Sequence, residues 1–162
     1  MDSGSRDVPS RQSPTLRSSS SSVGGRWGEP GGSRRRVRNT SPSACTSDAT
    51  GDQQWIHVDP VRAAQGPYGR TIAHGYLTLS LLPLLSGEAY QVDGLKMTIN
   101  YGLDRVRFPA PVPVGSRVRN RPVLVSLTPS AAGTKALVRH TLELEGSERP
   151  ACVAEQIRLM VV

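Results

Sequence analysis

Residues 76–85, YLTLSLLPLL, place apolar side chains on nearly every side of a helix drawn through them. A helix that is apolar all round must be buried all round. The stretch is half of the ~20 residues a membrane span requires, so its cover has to come from the rest of the chain. That cover is legible after residue 94, where the hydrophobic period changes from helical to two. In LKMTINY, Leu95, Met97, Ile99 and Tyr101 alternate with Lys96, Thr98 and Asn100. PVLVSL at 122–127, KALVRHTLELE at 135–145 and CVAEQIRLMVV at 152–162 are strand-rich by alternation and β-branched content. Turn signals separate them at 109–116, 129–133 and 146–150. The simplest burial for such a helix is a curved antiparallel sheet wrapped around it, an α+β arrangement of about four strands. Pro83 is expected to kink or end the helix, with Gly87 just beyond.

Ahead of the apolar helix, Asp59-Pro60 reads as a helix start, with Asp59 as N-cap and Pro60 in the first helical position. Gly66-Pro67 terminates that short helix. Further forward the character of the chain changes. Residues 1–50 hold thirteen Ser and eight Arg, with few apolar residues, and carry +4 of the +7 net charge. Such a segment cannot bury enough apolar surface to offset its ordering entropy, so residues 1–47 are read as disordered and residues 48–162 as the folded domain. The RRRVR run at 34–38 is read as a solvated basic tail, and nucleic acid as an unlikely partner: Trp27 alone gives no stacking platform for bases. Cys45 and Cys152 make no disulfide framework and suit a reducing cytoplasm. With no signal peptide and no apolar run of spanning length, the expectation is a soluble protein with no membrane partner.

Chemistry concentrates in 52–75. Asp52 and His57 lie five residues apart in what reads as a loop before the capped helix. A carboxylate and an imidazole facing one point make a general acid–base pair, able to hold a tautomer or grip a water. The pair His74-Gly75 stands where the apolar helix begins. The first N–H groups of a helix lack internal partners and suit a developing oxyanion, and Gly75 would let a ligand approach them. Spacing alone leaves bland alternatives open: a loop pair without catalytic use, a glycine for close packing, a histidine that caps or packs locally.

The stretch DQQWIHVDPVRAAQGPYGRTIAHGYLTLSLLP, 52–83, resembles the hydratase motif of the MaoC-like, (R)-specific enoyl-CoA hydratase family, whose fold is the hot-dog. The segment INYGLDRVRFPAPVPVGSRVR, 99–119, resembles the strand–loop–strand of that family's NodN-like branch. The resemblance implies hydration of a trans-2-enoyl-CoA to the (R)-3-hydroxyacyl-CoA, or the reverse dehydration. It also implies Asp52 and His57 as the water-holding pair, the Gly75 N–H as oxyanion donor, no metal or redox cofactor, and a homodimer in the cytoplasm. His74, Asn100 and Arg107 are candidate substrate contacts. Gln54-Trp55 replaces the commoner Asn-Pro between the Asp and the His, which leaves the shape of the acyl pocket open. Tyr76 and the Leu stripe read as core in preference to acyl-tunnel lining, and His140 as a packed histidine. The family carries a strand and a helix before the catalytic Asp, and upstream of Asp48 their apolar spacing is missing. Residues 1–47 are therefore expected not to be the family's N-terminus, through an altered reading frame or misplaced start. A hot-dog thioesterase and a catalytically impaired, truncated family member are the alternatives to a hydratase.

Overall fold

The computed structural model describes residues 46–162 and, further forward, the backbone of two short strands, β1 (Leu16–Ser18) and β2 (Arg34–Arg36). The expectation of disorder for 1–47 otherwise lies outside the described residues. After α1 (Thr46–Thr50), α2 (Trp55–Val58) and α3 (Pro60–Ala64) comes a helical pair, α4 (Gly75–Ser80) and α5 (Leu82–Ala89). Four further strands of the chain complete one sheet with β2, while β3 (Tyr90–Val92) pairs with β1. Those four are β4 (Met97–Arg107), β5 (Arg117–Ser130), β6 (Gly133–Leu144) and β7 (Cys152–Val161), and the sheet runs β2-β5-β6-β7-β4, antiparallel throughout. β4 is thus an edge strand, and the ladder slips at Asn100/Gly102 and again at Leu103/Arg105.

The helices lie against this sheet in the expected hot-dog arrangement. Leu82 and Leu85 of α5 are buried among Val118, Leu142, Leu144, Cys152 and Ala154 of the strands, with Ala73, Ala110 and Val112 from the connecting loops. Each fully buried Leu contributes about 1.5–3 kcal/mol of transfer free energy. Asp59 caps α3 as its sequence implies, its Oδ1 accepting from the Arg62 N–H at 2.9 Å, with Pro60 in the first turn.

Two expectations for the apolar helix need correction. It is not one rod ended by Pro83: the break falls at Leu81, and Pro83 occupies the first turn of α5, where a missing N–H costs nothing. Nor is it buried all round, because Tyr76 is 76 % exposed and Leu84 47 %. The sheet covers only one side of the pair. On the uncovered side stand Tyr76 and Phe108, and along the edge strand Met97, Ile99, Tyr101 and Leu103 are all exposed. His57 also differs from expectation, lying in the helical turn α2 and not in a loop.

Candidate active site

Backbone hydrogen bonds pin the segments that carry Asp52, His57 and His74. The Ile72 N–H donates to Ile56 O at 3.0 Å and Ala73 N–H to Val112 O at 2.8 Å, tying the approach to α4 both to α2 and to the loop before β5. On this frame His57, buried, donates from Nδ1 to the Ile72 carbonyl at 2.8 Å. A carbonyl can only accept, so the contact fixes a proton on Nδ1, and in the neutral imidazole this leaves the lone pair on Nε2, the tautomer a general base needs. His74, also buried, stacks on His57 with ring centroids 3.7 Å apart and planes at 27°.

Asp52 completes the group from the loop between α1 and α2. Its carboxylate Oδ2 lies 3.6 Å from His74 Nε2, and its backbone carbonyl lies 3.2 Å from the same nitrogen. Ser47 Oγ of α1 reaches His74 Nε2 at 3.3 Å. Oδ1 of Asp52 accepts from the Gln54 N–H at 3.3 Å, an Asx-type turn that orients the side chain. One ligating atom from each of Asp52, His57 and His74 falls within 4.8 Å of the others. That spacing alone would admit a cation. Two of the four ring nitrogens, however, are already spent as donors to backbone carbonyls, His57 Nδ1 to Ile72 and His74 Nε2 to Asp52, so neither has a lone pair for a cation.

Gly75 follows His74 directly and opens α4. A Cβ at this position would stand 3.1 Å from the exposed Phe108 ring, which would have to give by a few tenths of an ångström. Phe108 in turn meets Tyr76 edge-on, with centroids 6.4 Å apart. The first turn of α4, whose N–H groups have no intrahelical acceptor, therefore begins one residue from the stacked imidazoles.

The remaining candidates are placed elsewhere. Arg107 is exposed at the end of β4 and donates to the neighbouring Val106 carbonyl at 2.7 Å. Asn100 sits at the first slip of the β4 ladder and accepts from Gln156 Nε2 at 3.2 Å. It lines a cleft of about 230 Å³ between the α4–α5 junction and β4. His140 is fully buried, as its strand position implies, but is embedded among polar side chains. Burial is the main reason its pKa is pulled down to about 4; a hydrogen bond with Gln156 opposes the shift and the charge of Arg158 adds to it. Ser47 and Gln156 were not legible as site residues in the sequence. Neither belongs to a spacing pattern, and each gains meaning only from the element packed beside it.

A sheet folded about a helical pair defines a hot-dog protein, and here an Asp/His cluster stands at the start of the helix. The chain matches the MaoC like domain over residues 33–145, and it belongs to that family, a class of dehydratases and hydratases. The match begins within the segment read as 1–47. The chain is 62% identical over 112 residues to 3-hydroxyacyl-thioester dehydratase Z of Mycobacterium tuberculosis, covering 68% of this chain and 74% of that protein. It is 47% identical over 119 residues to Nodulation protein N of Rhizobium leguminosarum bv. viciae, covering 70% of this chain and 73% of the relative. Among solved structures, an (R)-hydratase from A. caviae involved in PHA biosynthesis shares the fold, with a TM-score of 0.63 at 24% identity over 83% of this chain and 98% of that one. No helix among the described residues is long and apolar enough to cross a membrane.

Proposed function

We propose that the protein interconverts trans-2-enoyl-CoA and (R)-3-hydroxyacyl-CoA, with Asp52 and His57 holding the water. The observation that carries this reading is the His57 tautomer, set by the Ile72 carbonyl, beside a carboxylate within 4.8 Å. In hydration the water oxygen attacks C3 and its proton passes to His57 Nε2. The electron pair of the double bond moves toward C2 and the thioester oxygen, where the Gly75 N–H stabilises the developing charge. A proton returned to C2 completes the addition, so no atom or electron remains unaccounted for. His74 holds Asp52 in place through its Nε2. The cycle requires no metal and no redox group, and a chelator should leave the rate unchanged.

The active unit is a homodimer in the cytoplasm. What supports the dimer is the edge strand β4, whose apolar side chains are uncovered along an open ladder. Unprotected edges of this kind pair or aggregate.

Hydration of crotonyl-CoA, followed as loss of absorbance at the enoyl thioester band, tests the assignment. Asp52→Asn and His57→Ala should each lower the rate on the order of 10²–10⁴-fold. Unchanged rates in both variants, or release of free thiol in place of hydration, would overturn it; the second outcome identifies a hot-dog thioesterase.

A further inference from the structure

A line of polar side chains crosses the sheet from the core to its open edge. It starts at Ser86 of α5, whose Oγ is 3.4 Å from Asn120 Nδ2 on β5. Asn120 Nδ2 is 3.1 Å from His140 Nδ1 on β6. Gln156 follows on β7, and its Nε2 donates to Asn100 Oδ1 on β4 at 3.2 Å. Ser86, Asn120, His140 and Gln156 are all buried. Burying so many polar groups in one layer costs stability unless each is paired, yet a purely structural layer would end inside the core. This one ends at a cleft.

The end of the line has hydrogen-bonding capacity left over. Inside the layer Gln156 Oε1 and His140 Nε2 are both sealed from solvent; with Nδ1 of a neutral His140 accepting from Asn120, its Nε2–H turns to the Gln156 amide, so only the outer end of the line is open to a ligand. Asn100 Oδ1 is engaged by Gln156, so its Nδ2 donors remain for a ligand. The ladder slip at Asn100/Gly102 re-aims the edge strand here. Gly102, whose added Cβ would meet nothing within 4 Å, keeps the cleft open beside the slip. Leu79, Leu82 and Leu103 supply apolar walls.

Leu79, on the near wall of the cleft, lies four residues beyond Gly75 within α4, about 6 Å along the axis at ~1.5 Å per residue, which is shorter than an eight-carbon acyl chain. We propose that this cleft is a polar-ended acyl subsite: the Asn100 amide, positioned by Gln156 and through it by His140, recognises a hydroxyl carried on the distal part of the acyl chain. The protein then favours hydroxylated acyl thioesters over plain alkyl chains of equal length. This inference rests on the acyl-CoA reading above and deepens it.

The test is calorimetric binding of octanoyl-CoA and 8-hydroxyoctanoyl-CoA, saturated compounds that cannot be hydrated, so that the subsite is read without catalysis. Wild type should bind the hydroxylated chain about tenfold more tightly, the scale of one or two added hydrogen bonds. Gln156→Met should abolish the preference. Because the preference is a ratio measured within one protein, partial loss of folded material cancels. Gly102→Val, which fills the cleft without backbone conflict, should weaken both ligands together. Equal or weaker binding of the hydroxylated chain by wild type, a preference that survives Gln156→Met, or binding of neither chain would each overturn the subsite. Crotonyl-CoA hydration, measured in parallel, reports on the hydratase reading separately: hydration without the binding preference sinks only the subsite.

Discussion

His140 makes acid stability a direct test of the buried polar layer. Its pKa falls from 6.5 to about 4 on folding, chiefly because burial disfavours the imidazolium. Between those values the unfolded chain binds a proton that the native state refuses, so unfolding is favoured as the pH drops. The contribution is fully present above pH 6.5, declines on the way down, and levels off below about pH 4. At 1.36 kcal/mol for each pH unit, the whole interval amounts to about 3 kcal/mol, a large part of the ~5–15 kcal/mol that separates native from unfolded protein. The assay is urea unfolding at fixed protein concentration, repeated at half-unit steps from pH 7.5 to 4.5, for wild type and His140→Phe. The variant should start less stable, because Asn120 and Gln156 lose a partner, but should lose less on acidification. The difference between the two slopes is the quantity to read. Parallel curves through pH 6.5–4.5 would refute the claim that a neutral imidazole is sealed in this layer.

Four further outcomes follow from the packing and the charges. Gly75→Ala asks the exposed Phe108 ring to give by a few tenths of an ångström from 3.1 Å and should lower hydratase activity several-fold while the far-ultraviolet dichroism is kept. Cys152 is buried in the core with its thiol raised to about 11 by desolvation, so it should resist a thiol reagent at pH 8 in the native protein and react at once in denaturant. Asp59→Ala removes the cap on α3 and should cost about 1 kcal/mol in chemical denaturation, whereas Asp59→Asn should recover most of it. Below about pH 4.5 a separate acid limb is expected from Glu143. Burial works to raise its pKa, but hydrogen bonds from Arg119 and Arg121 outweigh that and hold it below the usual value, so stability is lost as it protonates.

Much of the frame around the site could be read before folding because local rules govern it. The cap at Asp59, the stop at Gly66-Pro67 and the His-Gly entry to α4 depend on residues a few positions apart, and the structure keeps them all. The apolar stripe was less reliable. Periodicity reports that Tyr76 and Leu84 are apolar; it does not say whether sheet, solvent or a second subunit lies opposite, and here the sheet leaves them uncovered. Pro83 likewise forbids a continuous hydrogen-bond ladder without saying on which side of it the ladder breaks.

The sequence by itself determined that a short run of apolar helix would need an antiparallel sheet for cover, and that an acid and a base would stand near the helix start. The first conclusion rests on period and propensity, which are properties of neighbours in the chain; the second rests on the resemblance of 52–83 to the family motif, because spacing alone left other readings open. Only the tertiary structure decided that His57 carries its proton on Nδ1, that His74 stacks against it and engages Asp52, and that Asn120, His140, Gln156 and Asn100 form one line across four strands. The partners in each case are far apart in sequence, and which of them meet depends on strand order and register, which no single segment contains.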